Sequence, residues 1–115
     1  MTILTQGKRT AEFLLSEANG QRSRALVTLA ITATALPPGQ LLGFVSESGE
    51  FAPYTPGASD GSQTAAAVLY AGVPASAEAQ PATAIVLDAE VAAASLTGFD
   101  EAARTTLFTR GIVVR

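Results

Sequence analysis

Residues 27–34 read Val27-Thr28-Leu29-Ala30-Ile31-Thr32-Ala33-Thr34. Val27, Leu29, Ile31 and Ala33 alternate with Thr28, Ala30, Thr32 and Thr34, a period of two that places one set on each face of a pleated strand. The run is rich in β-branched residues, whose restricted χ1 suits a strand better than a helix. The expectation is a strand with one buried and one hydroxylated face. The fold class then follows from how often the flanking sequence repeats that pattern.

Toward the C-terminus, Leu36-Pro37-Pro38-Gly39-Gln40 forces a turn, because two prolines fix φ and remove two donors while Gly39 accepts a positive φ. Residues 41–46 read as the next strand. Glu47-Ser48-Gly49-Glu50 is a short hairpin connection into Phe51-Ala52-Pro53-Tyr54, where Pro53 belongs at an edge or strand end. Residues 55–63, crowded with Pro, Gly, Ser and Asp, form a surface loop. Ala65-Ala66-Ala67-Val68-Leu69-Tyr70 is ambiguous between strand and short helix; Val68, Tyr70 and the flanking Gly72 and Pro74 favour strand. Residues 75–81 are another loop, and residues 82–91 carry a strand centred on Thr83-Ala84-Ile85-Val86-Leu87. Thr97-Gly98-Phe99-Asp100 has the spacing of a capping box with Asp in the Glu position, and residues 101–109 follow with acids first and Arg110 last, the order a helix dipole favours. Gly111 ends that helix as a left-handed cap, and Ile112-Val113-Val114-Arg115 is a β-prone tail.

Toward the N-terminus the pattern breaks. Residues 1–21 show no strand alternation, only a short apolar knot at Phe13-Leu14-Leu15 after Glu12. Two readings stand: a frayed terminus with a local hydrophobic staple, or an arm that orders on a partner. The chain divides into a flexible arm over 1–21 and a single β-rich domain over 22–115, which is a mainly β fold with one short C-terminal helix.

Composition narrows the chemistry. There is no His and no Cys, which removes Ser/His/Asp triads, thiol nucleophiles, disulfides and ordinary zinc sites. Seven Lys and Arg against ten Asp and Glu give a formal charge of −3, with no basic run to attract phosphate or anionic lipid. The 48% hydrophobic content is thin, since about a fifth of the chain is Ala and only 6% is aromatic. The larger anchors must therefore carry the core: Leu26, Leu29, Leu42, Phe44, Val45, Phe51, Leu69, Ile85, Val86 and Leu87. A core this light points to help from oligomerisation or a bound surface. No stretch approaches the roughly 18 to 20 apolar residues of a membrane span, and the polar start lacks a signal-peptide core, so the chain is expected to stay in the compartment where it is made.

Only carboxylates remain for acid/base or metal work, and their spacing is unhelpful. Asp88 and Glu90 would share one strand face and could hold a hard cation with a third oxygen, but a solvated strand end is the commoner outcome. Asp60-Gly61-Ser62 reads as an Asx turn. Neither a dinucleotide fingerprint nor a P-loop lysine is present, the single Lys8 lying in the arm. Arg22 and Arg24 alternate across Ser23 and point to one side of an entering strand, placed either to grip a carboxylate on a neighbouring chain or to guard a solvated edge. No catalytic residue, cofactor site or metal site is expected. The residues describe an acidic, non-enzymatic, oligomeric module with an arm.

Several stretches are similar to the head decoration proteins of lambda-like tailed phages and prophages. They are Glu12-Phe13-Leu14-Leu15-Ser16-Glu17-Ala18-Asn19-Gly20 running into Ser23-Arg24, then Val27-Thr28-Leu29-Ala30, Leu42-Gly43 with Ser48-Gly49, Pro53-Tyr54, and Ser59-Asp60-Gly61-Ser62 before the Ala65 run, with Gly111-Ile112-Val113-Val114-Arg115 at the end. The likeness runs over residues 10–115 in order. The resemblance implies a β-clip-like fold, a homotrimer that adds late to the expanded head at local threefold sites, and stabilisation of the major capsid protein shell against packaged DNA. It places the chain on the outer surface of the virion, after assembly in the host bacterial cytoplasm, with no direct nucleic acid or membrane partner. It also implies that the arm orders on the capsid, with Glu12, Phe13, Leu14 and Leu15 as its contact residues and Arg22 and Arg24 available for ion pairs between subunits or with the shell.

The chain departs from its relatives at Phe44 and Glu50, where they tend to carry Lys, and at Gly72-Val73-Pro74 in place of an acidic turn. These departures leave the implied fold unchanged, and the family's trimer and capsid contacts at those positions do not carry over. Two alternatives from other classes are a small trimeric β-clip nucleotide hydrolase using carboxylates and Mg²⁺, and a glycan-binding phage adhesin module. The first lacks a clustered carboxylate pair beside a Gly-rich loop; the second lacks Trp and has only two Tyr.

Overall fold

The computed structural model describes residues 13–17 and 23–115. Strands β1 (Leu14–Glu17), β2 (Arg24–Leu29), β3 (Leu41–Val45), β4 (Glu50–Pro53), β5 (Ala65–Leu69), β6 (Gln80–Ile85), β7 (Ala89–Val91) and β8 (Ile112–Val114) are joined by one helix, α1 (Glu101–Phe108), and a single 3-10 turn at Ala93–Ser95. The mainly β class with one short C-terminal helix is what the sequence dictates. Five strands close into a barrel in the order β2-β4-β3-β5-β6, and β1-β7-β8 form a separate three-stranded sheet.

Alternation along β2 explains the inside of the barrel. Val27 packs against and Leu29 lies within a cluster with Leu36, Leu42, Ala67, Leu69, Ala82 and Ala84. Leu26 must then point outward, and it is 77% exposed. It was expected in the core; the error is one of parity. The strand expected over residues 27–34 also stops early, at Leu29, where the Ala30 N–H donates to Phe51 O (2.8 Å) and joins β2 to β4. Beyond it the chain makes isolated bridges, Thr32 with Ser76 and Leu36 with Val73, and Ile31 faces solvent.

β5 is buried along its whole length, as its apolar run implies. Its register against β3 slips between Leu42↔Ala67 and Gly43↔Ala65, leaving Ala66 as the extra residue of a bulge. The bulge reverses the alternation, so that Ala65 and Val68 serve a second core while Ala67 and Leu69 serve the barrel interior. That second core lies between the barrel, the three-stranded sheet and α1, and it holds Phe13, Leu41, Tyr54, Ile85, Val91, Leu96, Ala103, Leu107, Ile112 and Val114.

The strand expected across residues 82–91 is two strands in two sheets. The chain leaves β6 at Ile85 and enters β7 at Ala89, and Asp88 takes φ 46° at the corner. Asp tolerates this left-handed backbone better than most residues, because its carboxylate can bond locally. At the helix the capping residue is one turn later than the spacing suggests: Asp100, not Thr97, is the N-cap, accepting from Ala103 N–H. Gly111, with φ 79°, turns the chain from α1 into β8 as expected. Of the other expected anchors, Leu29, Leu42, Leu69 and Ile85 are buried, Phe51 and Val86 pack on the barrel cluster, and Phe44 and Leu87 are exposed. Phe44 stands opposite Phe51 across the β3–β4 ladder, their rings in an edge contact at 5.2 Å, and it stays 40% exposed on the outside of the barrel.

Candidate interaction surfaces

The N-terminal residues singled out by sequence divide sharply. Glu12 lies outside the described residues. Phe13 is 1% exposed, a core side chain, and its carbonyl accepts from the Ala92 N–H at 2.8 Å. Leu14 is half-buried against the same core. Only Leu15 faces outward, at 54% exposure. Phe13 and Leu14 face inward in this chain, because β1 pairs antiparallel with β7 (Leu14↔Val91, Glu17↔Ala89) and so holds its first residues against the core.

Arg22 also lies outside the described residues. Arg24 stacks its guanidinium over the Tyr70 ring at 4.2 Å, a cation–π contact that fixes it in a shallow groove of about 310 Å³ shared with Ala25, Leu26 and Thr83. The two carboxylates expected on one strand face do not share one. Asp88 sits at the corner before β7, and Glu90 bonds to Arg115. Among the described residues no group of three His, Cys, Asp or Glu side chains converges to hold a metal ion.

Asp60 forms the Asx turn read from the sequence, accepting from Ser62 Oγ (2.6 Å) and Ser62 N–H (3.0 Å). The Ser62 hydroxyl first, and its N–H second, hold the Asp60 carboxyl below its ordinary range. The turn lays its loop across β3, with Ser46 N–H donating to Asp60 O.

A second polar lock ties the helix to the barrel. The Tyr54 hydroxyl donates to Asp100 at 2.9 Å from Oδ1, and the same Oδ1 caps α1 through Ala103 N–H at 2.8 Å. Burial chiefly, then the hydrogen bond and charge of Asp100, push the Tyr54 phenol above its ordinary value. The fold favours the protonated phenol, so its contribution is fully present below the unfolded pKa near 10 and is lost as pH rises through the higher folded value. Tyr54→Phe should cost about 1 to 2 kcal/mol at pH 7, the loss of one hydrogen bond to a carboxylate. Urea unfolding at pH 7 and pH 11 should show the gap between the two proteins closing at the higher pH; an equal gap at both would exclude the lock.

The sequence reading passed over a third surface. Ala103 and Leu107 are the buried side chains of α1. Phe108 stands one position, roughly 100°, off that stripe and is 60% exposed, beside Arg104, Thr105 and Thr109 around a groove of about 560 Å³. The i, i+4 spacing of Ala103 and Leu107 was the signal available, since a helix that buries those two must leave Phe108 outside. Among the described residues, no helix is long and apolar enough to cross a membrane.

The molecule is therefore a small barrel-and-sheet module whose outward features, among the described residues, include exposed apolar side chains and two arginines stacked on aromatic rings. Comparison with protein families agrees: the model of the bacteriophage lambda head decoration protein D family matches residues 3–111. The chain belongs to that family, whose role is structural, in decorating the phage capsid. No curated protein and no solved structure matches it.

Proposed function

We propose that this chain is a homotrimeric head decoration protein that binds the expanded capsid at its local threefold sites and stabilises the shell of major capsid protein against packaged DNA. The observation that carries this reading is the family match across residues 3–111, nearly the whole chain. The arrangement around β1 supports a physical route. β1 is an edge strand of the three-stranded sheet and presents Leu15 outward. The opposite edge is less open, because Arg104 Nη1 donates to the carbonyl of Val114 on β8. An extended partner segment adding to the β1 side would take affinity from main-chain hydrogen bonds and specificity from apolar side chains.

In this reading residues 1–21 form the capsid-contacting arm, with Glu12 and Leu15 facing the shell and Phe13 and Leu14 anchoring the segment to the domain. Arg22 and Arg24 supply ion pairs to a neighbouring copy or to the shell. Three arms on one trimer multiply a modest single-arm affinity through effective concentration. The virion surface is then the site of action, reached after assembly in the host cytoplasm.

Co-sedimentation with heads of the cognate phage, before and after expansion, tests it. The full chain should pellet with expanded heads only. A chain starting at residue 13, which keeps Phe13 and β1, should stay folded and lose most of that binding. Failure of the full chain to pellet with either head form would remove the decoration reading, and retention of full binding by the shortened chain would remove the arm.

A further inference from the structure

We propose that Asp60-Gly61 is a covalent modification site, where aspartate converts to isoaspartate, and that the Gln63 and Ser62 side chains hold the pair unreacted while its loop lies on β3. The inference stands apart from the decoration reading and does not depend on it.

The chemistry is set by the pair itself. The Gly61 backbone nitrogen, giving its proton to solvent, attacks Cγ of the Asp60 carboxylic acid. One carboxyl oxygen leaves as water and a five-membered succinimide forms. Water then adds to the ring. Opening at Cγ restores aspartate, whereas opening at the main-chain carbonyl of Asp60 breaks the original peptide bond and leaves the chain linked through Cγ, as isoaspartate. One water leaves and one enters, so the mass is unchanged. A side chain on the following residue hinders the attack, and Asp60 alone is followed by glycine, Asp88 preceding Ala89 and Asp100 preceding Glu101. Asp60 is exposed, so water reaches it.

The folded loop opposes each step. The Gly61 N–H, which carries the attacking nitrogen, donates to Gln63 Oε1 at 2.8 Å, a bond that must break before that nitrogen can give up its proton. Asp60 Oδ1 accepts from Ser62 Oγ at 2.6 Å and from Ser62 N–H at 3.0 Å. Those bonds favour the carboxylate, whereas expelling water needs the acid. The main chain is pinned as well. The Asp60 carbonyl, which would join the ring, accepts from Ser46 N–H at 3.3 Å, and the Ser62 carbonyl accepts from Thr55 N–H at 2.9 Å. Gly61 lies so close to β3 that a Cβ there would strike the Phe44 carbonyl oxygen. Isoaspartate puts one more carbon into the main chain at this crossing, so the loop must lift off β3 for ring and product to form. The rate is then the intrinsic rate of the pair scaled by the fraction of time the loop is open. Ser62 is buried at the crossing, but Gln63 is exposed and can be changed without disturbing the packing.

The test follows isoaspartate at position 60 in the full chain during warm incubation near neutral pH. Peptide mapping locates it, and methyl transfer to the digest by an isoaspartyl methyltransferase counts it; mapping also separates it from Asn19-Gly20, whose conversion changes the peptide mass. Wild type, Gln63→Ala and Gln63→Met, which keeps the bulk but loses the acceptor, are compared folded and in urea. Both folded variants should react about 3- to 10-fold faster than folded wild type, the factor that one lost hydrogen bond allows. In urea all three should share one faster rate. A folded wild type as fast as the unfolded chain, or no isoaspartate at position 60 even in urea, would overturn the site. An unchanged rate in either folded variant, or the same acceleration in urea, would overturn the role of Gln63.

Discussion

Gly61→Val should cost about 4 kcal/mol of folding stability, the sum of a backbone strained by a positive φ and a clash that cannot relax. Gly61 has φ 114°, where an L side chain is rarely found, and a Cβ placed there would lie 2.2 Å from the carbonyl oxygen of Phe44. The atom it meets is backbone of β3, so no side chain can swing aside. From the other side, a Cβ on Gly43 would lie 2.5 Å from Ser62 Cα. The two glycines face each other at one crossing, where the Asp60 turn lies flat on the barrel. Thermal unfolding should show Tm falling by roughly 15 to 25 °C for a domain of this size. A fall below 5 °C would mean that the loop lifts off β3 freely and that Gly61 is not needed for the crossing. Gly57→Val is the matched control, since nothing lies near a Cβ there and its φ is unexceptional.

What was legible in the sequence was local. Periodicity found β2, the turn residues on either side bounded β3, Val68 and Tyr70 with the flanking Gly72 and Pro74 favoured a strand at β5, and Asp60-Gly61-Ser62 declared its own hydrogen bonds. Each of those signals depends on residues a few positions apart. The parts that were not legible depend on pairing between distant segments. Nothing in residues 82–91 shows that the chain changes sheets at Asp88, because the corner exists only once β7 has found β1 and β8. At Leu26 size outweighed parity: alternation puts it on the same face as Thr28, yet its bulk placed it among the expected anchors. Alanine hid the rest. Ala65, Ala66, Ala67, Ala82, Ala84, Ala89 and Ala103 are all buried among the described residues. Their small side chains let strands pack closely and leave larger ones, such as Phe108, on the surface. A reading that ranks core positions by size looks past them. The exposed Phe108 was within reach of the i, i+4 pair Ala103 and Leu107, whereas no spacing rule separates the inward Phe13 from the outward Leu15 in an apolar knot.

Phe13→Ala is the second large effect, and it separates two views of the N-terminal segment. If Phe13 belonged to an arm that orders only on the capsid, its loss would leave the free chain's stability unchanged and weaken head binding alone. Its side chain is instead 1% exposed and joins the cluster that holds Leu41, Val91, Leu96 and Leu107 together. Truncating a buried Phe to Ala costs about 3 to 5 kcal/mol, the lost transfer energy plus the cavity left behind. The cavity would open beside Gly39, whose position lies against the Phe13 ring and under Ser95, so the β1–β7 junction would loosen before the barrel does. Hydrogen exchange should therefore show the Ala92 amide, which donates to Phe13 O, losing protection ahead of amides in β5. Denaturant unfolding gives the global cost. A change under 1 kcal/mol, with head binding lost, would return Phe13 to the arm. The expected result makes Phe13 part of the folded domain, so that the arm of the proposed function would be anchored through it rather than include it as a contact residue.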